Sequence, residues 1–114
     1  MDLEISTSLI GVRTVVHVSG EIDVYTVPAL RERLDAEIEQ GHHDLVVDLG
    51  GVTFMDSTGL GVLVGRLKLI RGVGGTMRLV SDHDRVLKVF TITGLDKVFE
   101  IFSTVDAAVA TAAG

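Results

Sequence analysis

The sequence has 114 residues, of which 46% are hydrophobic and 23% are charged, and this balance is typical of one globular domain. Its formal net charge of −6 argues against nucleic acid and anionic membranes as partners, because both require a basic surface. The absence of cysteine excludes disulfides and thiolate metal sites, and it fits a reducing compartment.

The N-terminal sequence does not predict a targeting segment. Residues 1–4 are acidic and alternate between polar and apolar, which is not the form of a signal peptide. No apolar run approaches the ~18 residues of a membrane span. We therefore expect a cytoplasmic protein in which residues 1–114 form a single domain.

The first elements in the chain are two predicted strands over residues 3–9 and 13–19, which Gly11 joins as a hairpin. A helix follows, with Thr26 as its N-cap and Gly41 just beyond its end. Its apolar residues share one helical face: Val27, Leu30, Leu34 and Ile38.

The middle of the chain predicts a buried strand, a turn and a second helix. Residues 44–49 contain an unbroken apolar run, which indicates a strand covered on both faces. We expect residues 50–51, both glycine, to turn the chain after this strand. A helix is then predicted to begin with Asp56 or Ser57 as its N-cap and to run to about Arg71.

The last third of the chain predicts two more strands and two more helices. In order, these are a strand over 76–80, a helix capped by Asp82 or Asp84 that stops near Gly94, a strand over 98–102, and a C-terminal helix capped by Ser103. The element order is thus ββαβαβαβα. Alternating strands and helices predict an α/β fold with a mixed, mostly parallel sheet and about four helices.

Ser57 is the main candidate functional residue. At a helix N-terminus the backbone N–H groups and the helix dipole favour negative charge, so a phosphate on its hydroxyl is compatible with the helix. Asp23 follows a strand that would lie beside the one leading to Ser57. It is therefore either part of the same site or an ordinary surface carboxylate.

The predicted second helix has two distinct faces when its residues are placed about 100° apart. Its core stripe is Leu60, Leu63, Val64, Leu67 and Ile70. The side of Ser57 carries Gly61, Gly65, Lys68 and Gly72, with Val62 and Leu69 just beyond. Each glycine costs about 1 kcal/mol relative to alanine. Either neighbouring elements pack closely on these glycines, or the face is kept smooth for a partner that docks over Ser57.

Other kinds of site have weaker support. Ser57 lacks the Gly-x-Ser-x-Gly pattern and an obvious histidine partner, so a nucleophilic hydrolase is not predicted there. The glycines around it lack the lysine and spacing of a phosphate-binding loop. No metal site is expected, because the histidines do not have the spacing of metal ligands: His17, His42, His43 and His83.

Four stretches of the sequence resemble the anti-sigma factor antagonists, the stand-alone bacterial members of the STAS domain superfamily, and particularly the actinobacterial ones. These stretches are residues 20–31, 45–49, 55–61 and 92–95, and the most specific is Met55-Asp56-Ser57-Thr58-Gly59-Leu60-Gly61. The stretches occur in the family's order, and the resemblance extends over essentially the whole chain. The resemblance implies a STAS-type fold.

The resemblance also implies a function. Such a protein binds an anti-sigma factor that is a serine/threonine kinase and thereby frees a sigma factor. The kinase phosphorylates the position of Ser57 to abolish binding, and a PP2C-type phosphatase reverses this. The acidic residue beside that site corresponds to Asp23, and Thr58 is a possible minor acceptor. The implied module catalyses no reaction and needs no cofactor.

Together, these observations predict a partner-binding surface of ten residues. They are Asp23, Asp56, Ser57, Thr58, Gly59, Gly61, Val62, Gly65, Lys68 and Leu69. Two other functions stay open from the sequence. One is a scaffold resembling a stressosome component, and the other is a small nucleotide-binding protein.

Overall fold

The computed structural model describes residues 2–110, and its elements follow the predicted order ββαβαβαβα. The elements are β1 (Glu4–Ile10), β2 (Arg13–Ile22), α1 (Val27–Glu39), β3 (Asp44–Met55), α2 (Ser57–Gly72), β4 (Thr76–Val80), α3 (Asp84–Thr93), β5 (Glu100–Phe102) and α4 (Val105–Ala110). A short 3₁₀ turn, Leu95–Lys97, precedes β5.

The strands form one five-stranded sheet in the order β1-β2-β3-β4-β5. β1 pairs with β2 in the antiparallel direction, whereas β2, β3, β4 and β5 are parallel to one another. The predicted mixed, mostly parallel sheet is therefore confirmed.

The sheet is covered on both faces, as the apolar run in β3 predicted. Leu45 and Val47 belong to the main core, in which α1, α2 and α3 pack on the first face of the sheet. Val46 points to the second face, where it packs with Ala108 of α4. Successive strand residues alternate between faces, so one short apolar run serves both layers.

β3 is longer than predicted, because residues 50–51 continue the strand instead of turning the chain. Two strand pairs, His17–Asp48 and Ser19–Gly51, show a shift in register. From the first pair to the second, β3 advances by three residues and β2 by two, so β3 contains one extra residue, a β-bulge. A Cβ on Gly51 would lie 2.6 Å from the Cβ of Ser19. Gly51 is thus explained by this close approach of β2 and not by a turn.

The predicted helix caps are only partly correct. Thr26 occupies the N-cap position of α1, but its side chain makes no cap hydrogen bond. Gly41 follows α1 with a left-handed φ of 88°, which confirms its predicted place. His83, and not Asp82 or Asp84, is the N-cap residue of α3.

The C-terminal elements differ in detail from the prediction. β5 begins at Glu100, because residues 95–97 form the 3₁₀ turn and Val98 is its C-cap. At the start of α4 the Thr104 hydroxyl accepts a hydrogen bond from Ala107 N at 3.1 Å, so Thr104 takes the capping role predicted for Ser103. α3 ends at Gly94, as predicted, and Gly94 has a left-handed conformation.

Candidate partner-binding site

The ends of β2 and β3 bring Asp23 and Asp56 to one edge of the sheet. Ile22 and Met55 are paired as the last residues of two parallel neighbours. Asp56 N also donates a hydrogen bond to Ile22 O at 3.2 Å. Asp23 and Asp56 directly follow these two strands, so both residues lie at this edge of the sheet, beside the start of α2. The register therefore places Asp23 next to Asp56, as expected if Asp23 belongs to the same site.

Asp56 is the N-cap of α2. Its Oδ1 accepts a hydrogen bond from Thr58 N at 2.9 Å, and the Thr58 hydroxyl donates to the same oxygen. Ser57 is the first residue of the helix and is exposed. The two neighbouring hydroxyls therefore differ: that of Thr58 is half-buried and held by Asp56, whereas Ser57 lies at the surface.

The Asp23 carboxylate shapes the loop between β2 and α1. Its Oδ1 accepts hydrogen bonds from Tyr25 N at 2.9 Å and from Thr26 N at 3.0 Å. The Thr26 hydroxyl donates to Glu21 O at 2.8 Å, which ties the loop back to β2. Thr26 is thus occupied with the loop, which explains why it does not cap α1.

The glycine face of α2 is open. A Cβ added to Gly61, Gly65 or Gly72 would meet no described atom within 4 Å apart from the helix's own backbone and chain neighbours. Close packing by neighbouring elements therefore does not explain these glycines within residues 2–110. Lys68 is exposed on the same side, and Leu69 is 52% exposed. The smooth face expected for a partner is present on the surface.

Two residues of the predicted surface are buried. Gly59 points into the core, where an added Cβ would lie 2.6 Å from Met55 Cγ and 2.8 Å from Ile22 Cγ2. Val62 is only 5% exposed and belongs to the main core. The prediction that Val62 is an exposed apolar contact was therefore wrong.

Contacts between α2 and α1 explain the position of Val62. Arg66 lies one turn further along α2 and forms a bidentate ion pair with Asp35 of α1, with N–O distances of 2.8 and 3.2 Å. The side of α2 that carries Val62 and Arg66 is therefore a helix–helix interface. The angular positions of residues around an isolated helix cannot reveal this interface, because they do not show which neighbouring element packs on which side.

Two exposed apolar residues in the loop after Asp23 were not predicted from the sequence. Val24 is 58% exposed and Tyr25 is 89% exposed. A groove of about 400 Å³ lies beside them between α1 and α2. It is lined by Val24, Val27, Pro28, Arg31, Thr58, Gly61, Val62 and Arg66. A signal was present in the sequence, since two large apolar residues stand in a connector that otherwise carries carboxylates.

The described residues contain no group of three or more histidine, cysteine or acidic side chains that could hold a metal ion. His42 bonds to the buried Glu37, and His43 bonds to Ile38 O. Over residues 2–110, no helix combines the length and the apolar character needed to cross a membrane.

Comparison with known proteins places the chain in a family. A model of the STAS domain matches residues 2–108. The anti-sigma-B factor antagonist of Bacillus subtilis (strain 168) is 46% identical over 86 residues, which make up 75% of this chain and 78% of that protein. The chain therefore belongs to the STAS domain family, and its place there is among the anti-sigma factor antagonists.

Solved structures agree with this assignment. The crystal structure of an anti-sigma factor antagonist from Mycobacterium paratuberculosis is 31% identical, with a TM-score of 0.89, and the match covers 95% of this chain and 92% of that one. The anti-sigma factor antagonist SpoIIAA in its unphosphorylated form is 26% identical with a TM-score of 0.78, over 93% of each chain. The phosphorylated form of SpoIIAA from Bacillus is 25% identical with a TM-score of 0.72, over 94% of this chain and 97% of that one. The predicted family and STAS-type fold are confirmed.

Proposed function

We propose that this antagonist is a cytoplasmic switch controlled by phosphorylation of Ser57. The unphosphorylated chain binds an anti-sigma factor that is also a serine/threonine kinase, and this binding frees the sigma factor. Phosphorylation by that kinase prevents binding, and a PP2C-type phosphatase restores it. The chain is the substrate of both modifications and catalyses neither. The observation that carries this proposal is the exposed Ser57 at the start of α2, beside Asp23 and Asp56.

The hydrogen bonds around the site support Ser57 over Thr58 as the acceptor. The Thr58 hydroxyl already donates to Asp56, the residue that caps α2. Phosphorylation of Thr58 would break this bond and place a second negative group against the capping carboxylate. Ser57 is exposed, so a kinase reaches its hydroxyl without disturbing the cap.

The phosphate is compatible with the folded chain. It adds about −1.5 to −2 charges at neutral pH. At a helix N-terminus, negative charge is favoured by about 0.3–1 kcal/mol, and the first turn of α2 contains no acidic side chain. We therefore expect the modified and unmodified chains to have the same fold and similar stability.

The same phosphate is unfavourable inside a complex. Docking over Ser57 removes water from a site where Asp23 and Asp56 already contribute negative charge. A buried charge without a partner costs about 3–5 kcal/mol. Since each 1.4 kcal/mol is a tenfold change in affinity, binding falls by at least about a hundredfold while the fold is preserved.

The surface around Ser57 fits a protein partner. The proposed contact surface comprises the open face of α2 together with Lys68 and Leu69, and it extends to Val24 and Tyr25 across the groove. Exposed aromatic and aliphatic side chains next to a polar rim are typical of a docking surface. Gly59 and Val62 support this surface from beneath.

The direct test is calorimetric titration of the kinase anti-sigma factor with four forms of the chain. We expect wild type and Ser57→Ala to bind equally, and Ser57→Asp to bind at least about a hundredfold more weakly. Ser103→Asp is the control for added charge, because Ser103 is exposed beside α4, away from the proposed contact surface, and this variant should bind like wild type. Thermal unfolding checks that each variant is folded. Tight binding by Ser57→Asp would contradict the proposal.

A second test examines the modification itself. Intact-mass measurement of the protein from its native host, with wild type beside Ser57→Ala, should show a species about 80 Da heavier only in wild type, as expected for one phosphoryl group. Treatment with a PP2C-type phosphatase should remove it. A heavier species that persists in Ser57→Ala would place the modification elsewhere.

A further inference from the structure

Three side chains on the second face of the sheet, which carries α4, form a continuous hydrogen-bonded chain. Ser8 Oγ lies 2.8 Å from His17 Nε2. On the other side of the ring, His17 Nδ1 lies 2.8 Å from Asp48 Oδ2. These are the groups and contacts of a serine nucleophile, its base and the carboxylate that orients the base, an arrangement defined by geometry and not by chain order.

The sheet register holds these groups in place. His17 and Asp48 are direct neighbours on β2 and β3, and Ser8 on β1 pairs with Val15, the next residue of β2 on the same face. Asp48 is fixed further, because its Oδ1 accepts a hydrogen bond from Gly50 N at 2.9 Å. The imidazole is therefore held at both ring nitrogens by residues of two different strands.

The chemistry of the groups sets the direction of the hydrogen bonds. An ionised carboxylate only accepts, so neutral His17 donates its Nδ1–H to Asp48. Nε2 then carries the lone pair and accepts the hydroxyl proton of Ser8. This is the tautomer that a general base needs in order to activate a serine hydroxyl.

A cleft of about 360 Å³ adjoins these hydrogen-bonded side chains. His17 and Asp48 line it together with Glu4, Ser6, Ser19 and Gly51. Ser8 lies outside this lining, on the exposed surface beside His17. The cleft is small and has carboxylates on its wall, which favours a small substrate without negative charge. α4 packs on the same face around Val15 and Val46, towards β4 and β5.

We propose that Ser8, His17 and Asp48 form an acyl-transfer site for small, uncharged carboxylic esters. Ser8 Oγ attacks the ester carbonyl carbon and forms a C–O bond, while its proton moves to His17 Nε2. The original ester C–O bond then breaks, and the leaving alcohol takes that proton. Water repeats the sequence on the acylated Ser8 and releases the carboxylic acid. Ser8 and His17 touch the reacting atoms, and Asp48 is a positioning residue.

This activity is separate from the proposed switch. The site lies on the face of the sheet opposite to α2, since Val15 packs in the α4 cluster whereas the apolar residues of α2 pack in the main core. It also goes beyond the module without catalytic activity that the sequence predicted. Ser57 variants should therefore leave the acyl-transfer rate unchanged.

The test uses p-nitrophenyl acetate with the purified full chain. Wild type should release nitrophenolate, and acid quenching during turnover should trap one acetyl group on Ser8, located by peptide mass. Ser8→Ala and His17→Ala should each lower the rate by about a hundredfold or more, the contribution typical of a positioned base and its nucleophile. Asp48→Asn keeps an oxygen for Gly50 N and should lower kcat with KM unchanged.

Thr7→Ala is the matched control, because Thr7 lies on the same strand but bonds to Arg33 of α1 on the other face. It should retain the wild-type rate. Thermal unfolding verifies that all variants are folded, and urea-unfolded wild type gives the reactivity of a free histidine. The proposal is overturned if Ser8→Ala reacts as fast as wild type, if the acetyl group is on another residue, or if wild type reacts no faster than its unfolded form.

Discussion

Helix α2 uses glycine in two opposite ways. Gly59 faces the core, where an added Cβ would lie 2.6 Å from Met55 Cγ. Gly61, Gly65 and Gly72 face outward, where an added Cβ would meet none of the described atoms within 4 Å beyond its own helix and chain neighbours. The first glycine is explained by packing within the chain, whereas packing among residues 2–110 gives no reason for the other three.

A glycine in a helix therefore does not by itself indicate a function. Each glycine weakens α2 by about 1 kcal/mol relative to alanine. At Gly59 the fold compensates for this loss through a close helix–strand contact. On the open face, the proposed docking of an anti-sigma factor is the compensating interaction. Substitutions on the two faces should therefore separate stability from binding.

The largest expected effect is on the packed face. Leu63 is fully buried in the main core, so Leu63→Ala should lower the free energy of unfolding by about 2–5 kcal/mol. Leu69 is 52% exposed, and Leu69→Ala should change it by less than about 0.5 kcal/mol. Urea denaturation of both variants measures the difference. An equal loss of unfolding free energy in the two variants would show that the two faces of α2 are not distinct.

A smaller effect is expected for Gly59 itself. Gly59→Ala forces Met55 and Ile22 apart and should lower the free energy of unfolding by about 1–3 kcal/mol, the usual range for overpacking. Gly61→Ala, two residues along, is the control. A Gly59→Ala protein as stable as wild type would mean that Met55 moves aside without loss.

The start of α2 gives the third prediction. Asp56→Ala removes the side chain that accepts from Thr58 N and should lower the free energy of unfolding by about 0.5–2 kcal/mol. Asp56→Asn retains a capping oxygen and should stay close to wild type. Thermal or urea unfolding distinguishes them. A large loss in Asp56→Asn would show that the charge, and not the cap, stabilises the helix.

The smallest effect has the opposite sign. Gly61→Ala and Gly65→Ala should each raise the free energy of unfolding by up to about 1 kcal/mol, because alanine is the better helix former and the space is open. If the open face docks the anti-sigma factor, the same variants bind it more weakly. More stable variants with unchanged affinity would move the docking surface away from these glycines.

The sequence predicted the element order and the main core because these depend on periodic patterns within short segments. The loose alternation in β1 and the apolar spacing of α1 are examples, and Ser57 was identified by its place at a helix start. Asp23 required pairing information, since its proximity to Asp56 depends on the register of β2 with β3.

The errors share a physical cause: they concern contacts between distant segments. Val62 is buried by packing between α2 and α1, and Gly51 is required by the close passage of Ser19 on β2. The Ser8–His17–Asp48 chain of groups spans three strands. None of these has a signature in a local window of sequence. Gly51 and the Ser8–His17–Asp48 contacts follow from the sheet register, whereas the burial of Val62 follows from the packing of α2 against α1.

The hydrogen bond from Asp56 N to Ile22 O has a consequence for how the proposed switch responds. It ties the N-cap residue of α2 to the end of β2, so the proposed phosphorylation site adjoins a hydrogen-bonded edge of the sheet. If the phosphate acts by its charge alone, as proposed, no second conformation of the antagonist has to be populated. The amount of antagonist able to bind would then fall in direct proportion as the phosphorylated fraction rises, and the response time would be set by the kinase and the phosphatase.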